Sequence, residues 1–489
     1  MKILVAPLTL FVFASTVSLD YSHLPATPNR EDTSLTQHIQ DYLNQKKPAT
    51  ALHYPTSIKR FYNKHRYQSL WIRPNNQIRK TWEAMLMLDC VLQFGLSHDD
   101  YHPKELIYEK LHQIYDQPDR ISSTEKAKFE VLLTDAMLTF INHLHYGKFN
   151  AAFTREKLDR DTTFAFKAEN ILTDALQAKD FMSTIGNVQP TSKQYRAMQS
   201  YMKLVKGQYL DDCYEVPEAD VRKVAINMER LRWANICGDN YIQINIPSFT
   251  LTYYQADSAY LFKTVVGKPA SPTPELQSVI TYFKTAPDWN VPRKIFIKEI
   301  LPKSLKDKNY LNNNHFSIYD LKGNYVNPDA TQLLKITSNP DNYFARQSPG
   351  CDNALGLIAF RFPNPYNVYL HDTPDKTYFE KKMRALSHGC IRVEDAEKLA
   401  ALLLKYDNSG DKIKDMNRAI AAYKPKQFYL NHPIPFNITY LTCEIKDGLL
   451  VKYDDVYCRD EALEKALYNL TEKPVAKKKP LTIKMPPLN

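Results

Sequence analysis

The hydrophobic period of this 489-residue chain changes once, near Asp239, and that change constrains the fold more than any other feature. Before it, from about Ser57 to Gly207, apolar residues recur at three- and four-residue steps. In EKAKFEVLLTDAMLTFINHL, residues Phe129, Leu132, Leu133, Ala136, Phe140 and Leu144 share one helix face. TWEAMLMLDCVLQFG has the same character, and Gly95 is placed to end it. Beyond Asp239 the period falls to two. In NYIQINIP the residues Ile242, Ile244 and Ile246 point one way, and Gln243 and Asn245 the other. AYLFKTVVGK, LQSVITYF, ALGLIAFRF, NVYLHDT and FNITYLTCEI continue as β-rich runs, with Asp447-Gly448 as a hairpin turn. The expected fold is α+β: an all-α N-terminal domain, then a mostly antiparallel β domain. No internal repeat interrupts this order.

Boundaries follow from local composition. Residues 1–18 read as an export signal: Lys2, the uncharged run ILVAPLTLFVFASTVS, and small residues that allow cleavage after Ser18. An uncleaved anchor is the alternative. The expected location is the periplasm. Residues 19–56 form a proline-containing linker with a short helix near Thr36–Gln45, residues 57–215 the helical domain and 216–240 a connecting helix. The β domain spans 241–469, with an insertion at about 289–345 that reads as a lid. Residues 470–489, rich in Lys and Pro, read as a solvated, disordered tail. At the start of the long helix, Ser123 is followed by Lys126, which gives no capping box; Thr124 and Glu125 mark the start.

The formal charge is +10. No basic–aromatic module accompanies it, so nucleic acid is not an expected partner. A positive surface suits an anionic polymer such as a carboxylate-bearing cell wall. Seven cysteines (Cys90, Cys213, Cys237, Cys351, Cys390, Cys443 and Cys458) leave at least one unpaired in an oxidising compartment. Cys443 and Cys458, on either side of the hairpin, are the first pair to test.

The chemistry concentrates between Arg346 and Leu404, where His371 stands in YLHDT and Cys390 in SHGCIRV. A thiolate attacks carbonyls well, but a free thiol is mostly protonated at neutral pH, so it needs a base. His388 shares the Cys390 segment, but a turn at Gly389 spoils its approach. His371, at the end of an expected strand, reaches across a sheet and is the better base. Gly389 permits a tight turn, and the amides of Gly389 and Cys390 are candidates to hold an oxyanion. Arg392 is placed to stabilise the thiolate or bind a substrate carboxylate. The Trp289–Pro292 turn reads as packing, and His143, His145 and His432 as structural or surface residues.

The pattern of His371, fifteen residues, then Ser387-His388-Gly389-Cys390-Ile391-Arg392 resembles the signature of L,D-transpeptidases. PNPYNVYLHDTP, RQSPG, VVGKPASPTPELQSVITYF, DWNVPRKIFIKEILP and VAINMERLRW are similar to segments of the large periplasmic members. FYNKHRYQSLW and FGLSHDDYHP are similar to that subgroup's scaffold domain, so the resemblance covers roughly residues 57 to 465. It implies Cys390 as nucleophile, His371 as proton donor and acceptor, and Tyr369 as a support for the histidine or a substrate contact. Ser387, His388, Gly389 and Arg392 complete the implied motif. The implied substrates are peptidoglycan stem peptides: a tetrapeptide donor attacked at its third residue, a diamino acid, and an amine acceptor. Carbapenem-type β-lactams are the implied covalent inhibitors, and no cofactor or metal is implied. Two departures stand out. The small peptidoglycan-binding module common before NMERLRW has no room in YMKLVKGQYLDDCYEVPEADVRKVAINMERLRW, and Cys351 replaces a usual proline.

Other classes compete. Cys351, His371, His388 and Cys390 form a possible zinc set. A catalytically idle wall-binding scaffold is a second rival. Within the enzyme reading, the acceptor decides between cross-linking, lipoprotein anchoring and L,D-carboxypeptidase activity.

Overall fold

Helix Ser123–Tyr146 organises the N-terminal part because almost every side chain beyond Phe129 is buried. The computed structural model describes residues 33–45, 50–72, 77–206, 216–234 and 238–469. The expected export signal, the basic tail, Cys213, Cys237 and part of the linker lie outside these residues.

That long helix carries two buried acids that hold neighbouring backbone. Glu130 accepts from the amides of Leu70, Trp71 and Ile72. Asp135 accepts from His53 and Tyr54 at 3.0 Å, just ahead of helix Pro55–Lys64. Asp159 takes the Thr56 and Ser57 amides at 3.1 and 2.7 Å. The free N–H groups at that helix start are thus met by carboxylates from other helices, which also suit the helix dipole. The long helix does have a capping box, one residue earlier than expected: Ser122 is the cap and Glu125 its reciprocal partner. The linker helix runs Thr33–Asn44. Gly95 ends its segment in the left-handed region as expected, after a 3₁₀ turn.

Helix Glu218–Trp233 joins the two halves. Arg232, 1% exposed, donates to the Phe94 carbonyl (2.5 Å) and the Tyr195 hydroxyl (2.9 Å) on the scaffold side. Asn227 donates to Thr442, and Arg230 pairs with Asp460 at 2.6 Å on the other side. A buried cluster of Met198, Met202, Val224, Met228, Leu441 and Leu467 fills the junction.

The C-terminal part is built on β1 (Asn240–Asn245), β2 (Thr250–Gln255), β3 (Ser258–Gly267) and β4 (Leu276–Thr285). Then come β5 (Trp289–Asn290), β6 (Phe316–Asp320), β7 (Tyr325–Val326) and β8 (Tyr343–Gln347) of the insertion. The remaining strands are β9 (Ile358–Arg361), β10 (Leu370–His371), β11 (Ala385–Ser387), β12 (Ile391–Val393), β13 (Lys426–Thr439), β14 (Cys443–Lys446) and β15 (Leu449–Lys452). The main sheet has the order β11-β3-β12-β10-β9-β4-β13-β1-β2, and a β2–β3 pairing closes it on itself. Most pairings are antiparallel; β1–β13, β10–β12 and β11–β3 are parallel. The α+β expectation is met.

Two details differ from expectation. In β1 the alternation does not end in an exposed face: Gln243 and Asn245 are buried at 5% and 2% exposure, against 0% for the isoleucines. They hydrogen-bond to Thr439 and the Leu441 carbonyl instead of solvent. Cys443 and Cys458 are not bonded: Cys443 is buried and takes the Asn227 amide, while Cys458 is exposed. The insertion is a folded body, with its own sheet β5-β8-β6-β7 and a core of Val291, Phe296, Leu311, Ile318, Leu333 and Ile336.

Candidate active site

The local backbone at Cys390 is set by four hydrogen bonds through two hydroxyls. Ser387 Oγ donates to the Cys390 carbonyl (2.6 Å) and accepts from the Gly389 amide (3.1 Å). Thr273 Oγ1 donates to the Gly389 carbonyl (2.9 Å) and accepts from the Gly267 amide (2.8 Å). Gly389 sits at φ +117°, a conformation that other residues rarely adopt. The Gly389 amide is therefore committed to Ser387.

β10 lies parallel to β12, with Leu370 opposite Ile391 and His371 opposite Arg392. The Ile391 amide donates to the Tyr369 carbonyl (3.1 Å), which continues this register by one residue and sets Tyr369 beside Cys390. Residues opposite one another, and those two apart, share a face, so Tyr369, His371, Cys390 and Arg392 stand together. The sequence-predicted Cys–His pair is thus brought to one place from adjacent strands.

Burial disfavours the charged form of both Cys390 and His371. Burial raises the Cys390 thiol above the ordinary cysteine range, opposed by hydrogen bonds from Tyr369 and by the charges of Arg361 and Arg392. Burial, then Arg392, lowers His371 to about 3, although carbonyls favour its protonated form. His371 Nδ1 lies 2.5 Å from the Asp372 carbonyl, which can only accept, so the neutral ring carries its proton on Nδ1. The Tyr369 hydroxyl bonds both Cys390 and Trp289, and burial raises its pKa.

His388 is directed elsewhere. Its Nε2 pairs with Glu299 Oε1 of the insertion at 2.6 Å. Trp289 contributes more than packing, since its indole reaches the Tyr369 hydroxyl. Arg361, whose guanidinium lies 4.2 Å over the Tyr369 ring, was not singled out from sequence. Its signal there is a lone charge in the apolar run ALGLIAFRF.

The zinc set does not assemble: His371 faces Asp372, His388 faces Glu299, and Cys351 is exposed. Among the described residues the one group with metal-ligand spacing is His53, His102 and Asp135 on the scaffold. Asp135 there already accepts from two backbone amides and from His102 Nε2 at 2.6 Å, which accounts for the cluster as a structural anchor.

Residues 239–414 match the family described as the L,D-transpeptidase catalytic domain, and residues 56–202 match the Scaffold domain. A protein of Haemophilus influenzae (strain ATCC 51907 / DSM 11121 / KW20 / Rd) named "Putative L,D-transpeptidase" is 35% identical over 251 residues. That similarity covers 51% of this chain and 50% of the relative, so the chain spans about half the length of the protein it matches.

Proposed function

We propose that this chain, whose residues 239–414 match the L,D-transpeptidase catalytic domain, cross-links peptidoglycan stem peptides in the periplasm. The observation that carries this reading is the placement of Cys390 on one sheet face with Tyr369 and His371, where burial favours the neutral thiol and the neutral imidazole.

In this reading His371 Nε2 takes the Cys390 proton as the sulfur bonds to the carbonyl of the third residue of a tetrapeptide stem. The Cys390 amide holds the oxyanion. Collapse breaks the amide bond, and the imidazolium returns its proton to the departing D-alanine amine. The side-chain amine of a second stem then attacks the thioester and restores the thiol. Tyr369 donates to the sulfur, and Arg392 supplies positive charge beside it. Ser387 and Gly389 shape the turn, and His388 ties it to the insertion. A carbapenem-type β-lactam acylates the same sulfur.

Purified protein incubated with a tetrapeptide-bearing disaccharide tests the proposal. Mass spectrometry is expected to find cross-linked dimer and free D-alanine. Tripeptide without dimer would replace transpeptidation by carboxypeptidase activity. No product and no carbapenem adduct would leave a wall-binding scaffold.

A further inference from the structure

The registers draw one row of side chains across five strands. Tyr429 of β13 faces Tyr282 of β4, and Tyr282 faces Arg361 of β9. Arg361 faces Tyr369, one residue beyond the Phe360–Leu370 pair, and Tyr369 faces Cys390. The next row, Phe428, Phe283, Phe360, Leu370 and Ile391, is buried core, so the first row lies on the opposite face. Its members touch. The Tyr282 and Tyr429 rings are 5.1 Å apart, and the Arg361 guanidinium stacks on Tyr369. Exposure grows outward, from half-buried Cys390 and Tyr369 to Tyr429 at 61%.

Arg361 makes no ion pair with a carboxylate among the described residues. Neither does Arg392, which lies 4.6 Å over the Tyr378 ring with its Nε buried and unpartnered. Two guanidiniums without an ion-pair partner therefore flank one thiol; Asp375 lies within electrostatic reach of Arg392, and no carboxylate among the described residues is so placed for Arg361. A half-buried cation without an anion is costly, and the planar fork of arginine matches a carboxylate. Stacking on Tyr369 holds that fork in a fixed plane beside the sulfur.

We infer that Arg361 binds a carboxylate of the stem peptide and that the row out to Tyr282 and Tyr429 is the track on which this peptide lies. The inference rests on the proposed function, which supplies the substrate. A tetrapeptide stem offers two such groups: the terminal D-alanine carboxylate and the side-chain carboxylate of the diamino acid.

Binding tests this without turnover. Calorimetry on Cys390→Ala protein measures the tetrapeptide stem, its D-alanine amide and its diamino-acid amide, with and without Arg361→Gln or Arg361→Lys. Amidating the recognised carboxylate is expected to weaken binding about tenfold or more, and Arg361→Gln to weaken the free stem equally. The Gln variant should no longer distinguish that amide from the free acid, and Lys should recover part of the affinity. Whichever amide behaves so identifies the carboxylate. The inference is overturned if the stem does not bind, if Arg361→Gln binds it as tightly as the parent, or if the variant weakens free acid and amides alike. A wild-type enzyme that forms dimer while Arg361 makes no difference to binding removes this inference alone. Arg361-dependent binding without any product removes the proposed function alone.

Discussion

His388 and Glu299 meet at 2.6 Å, so the second residue of the Ser-His-Gly-Cys turn is joined to the insertion and not to the sulfur beside it. Both side chains are 39% exposed, which limits the pair to roughly 0.5–1 kcal/mol. His388→Gln and Glu299→Gln should each lower kcat/KM by about two- to fivefold. The double variant should lose little more than either single one. Strictly additive losses would show that the pair does not act as a latch.

A neutral Cys390–His371 pair has a distinct pH signature. With His371 lowered to about 3, the imidazole stays unprotonated as pH falls through the ordinary histidine range. With Cys390 raised, its thiolate forms only at alkaline pH. Alkylation of Cys390 by iodoacetamide should therefore be slow at neutral pH and rise above the ordinary thiol range. A fast plateau across neutral and mildly acidic pH would indicate a thiolate–imidazolium pair instead.

Ser387 is predicted to matter through backbone alone. Its hydroxyl links the Gly389 amide to the Cys390 carbonyl. Ser387→Ala leaves both without that partner, at a cost of about 1–3 kcal/mol locally. Activity should fall with kcat more than KM, and amide exchange should quicken around Cys390. Wild-type exchange with the same loss of rate would point to direct substrate contact.

On the scaffold, burial raises Glu130 to about 7 despite the amides bonded to it. The folded state then keeps a proton that the unfolded chain releases from about pH 4.5 upward, so stability is lost as pH rises towards about 7. The swing is roughly 3 kcal/mol. Relative to Glu130→Gln, wild-type protein should lose Tm between about pH 5 and about pH 8. Parallel Tm curves would contradict this.

Much of this was legible in sequence, and the gaps have physical causes. Periodicity located the helices and strands, because amphipathic faces are local. The turn at Gly389 was legible because φ there favours glycine. The capping box was missed by one residue, since Ser122 and Ser123 offer the same hydroxyl and only backbone angles separate them. The burial of Gln243 and Asn245 was not legible, because their partners, Thr439 and the Leu441 carbonyl, lie far along the chain from that segment. Arg361 and Glu299 stayed invisible for the same reason. Their partners lie across the sheet or 89 residues away, and strand register is not written in any one strand.

The most direct measurement is the site of the acyl-enzyme. Wild-type protein incubated with tetrapeptide donor and no acceptor should gain the mass of the stem less D-alanine. Peptide mapping should place that mass on the fragment carrying Cys390, and Cys390→Ala should show neither adduct nor product. An adduct on another residue, or wild-type turnover by Cys390→Ala, would contradict the account.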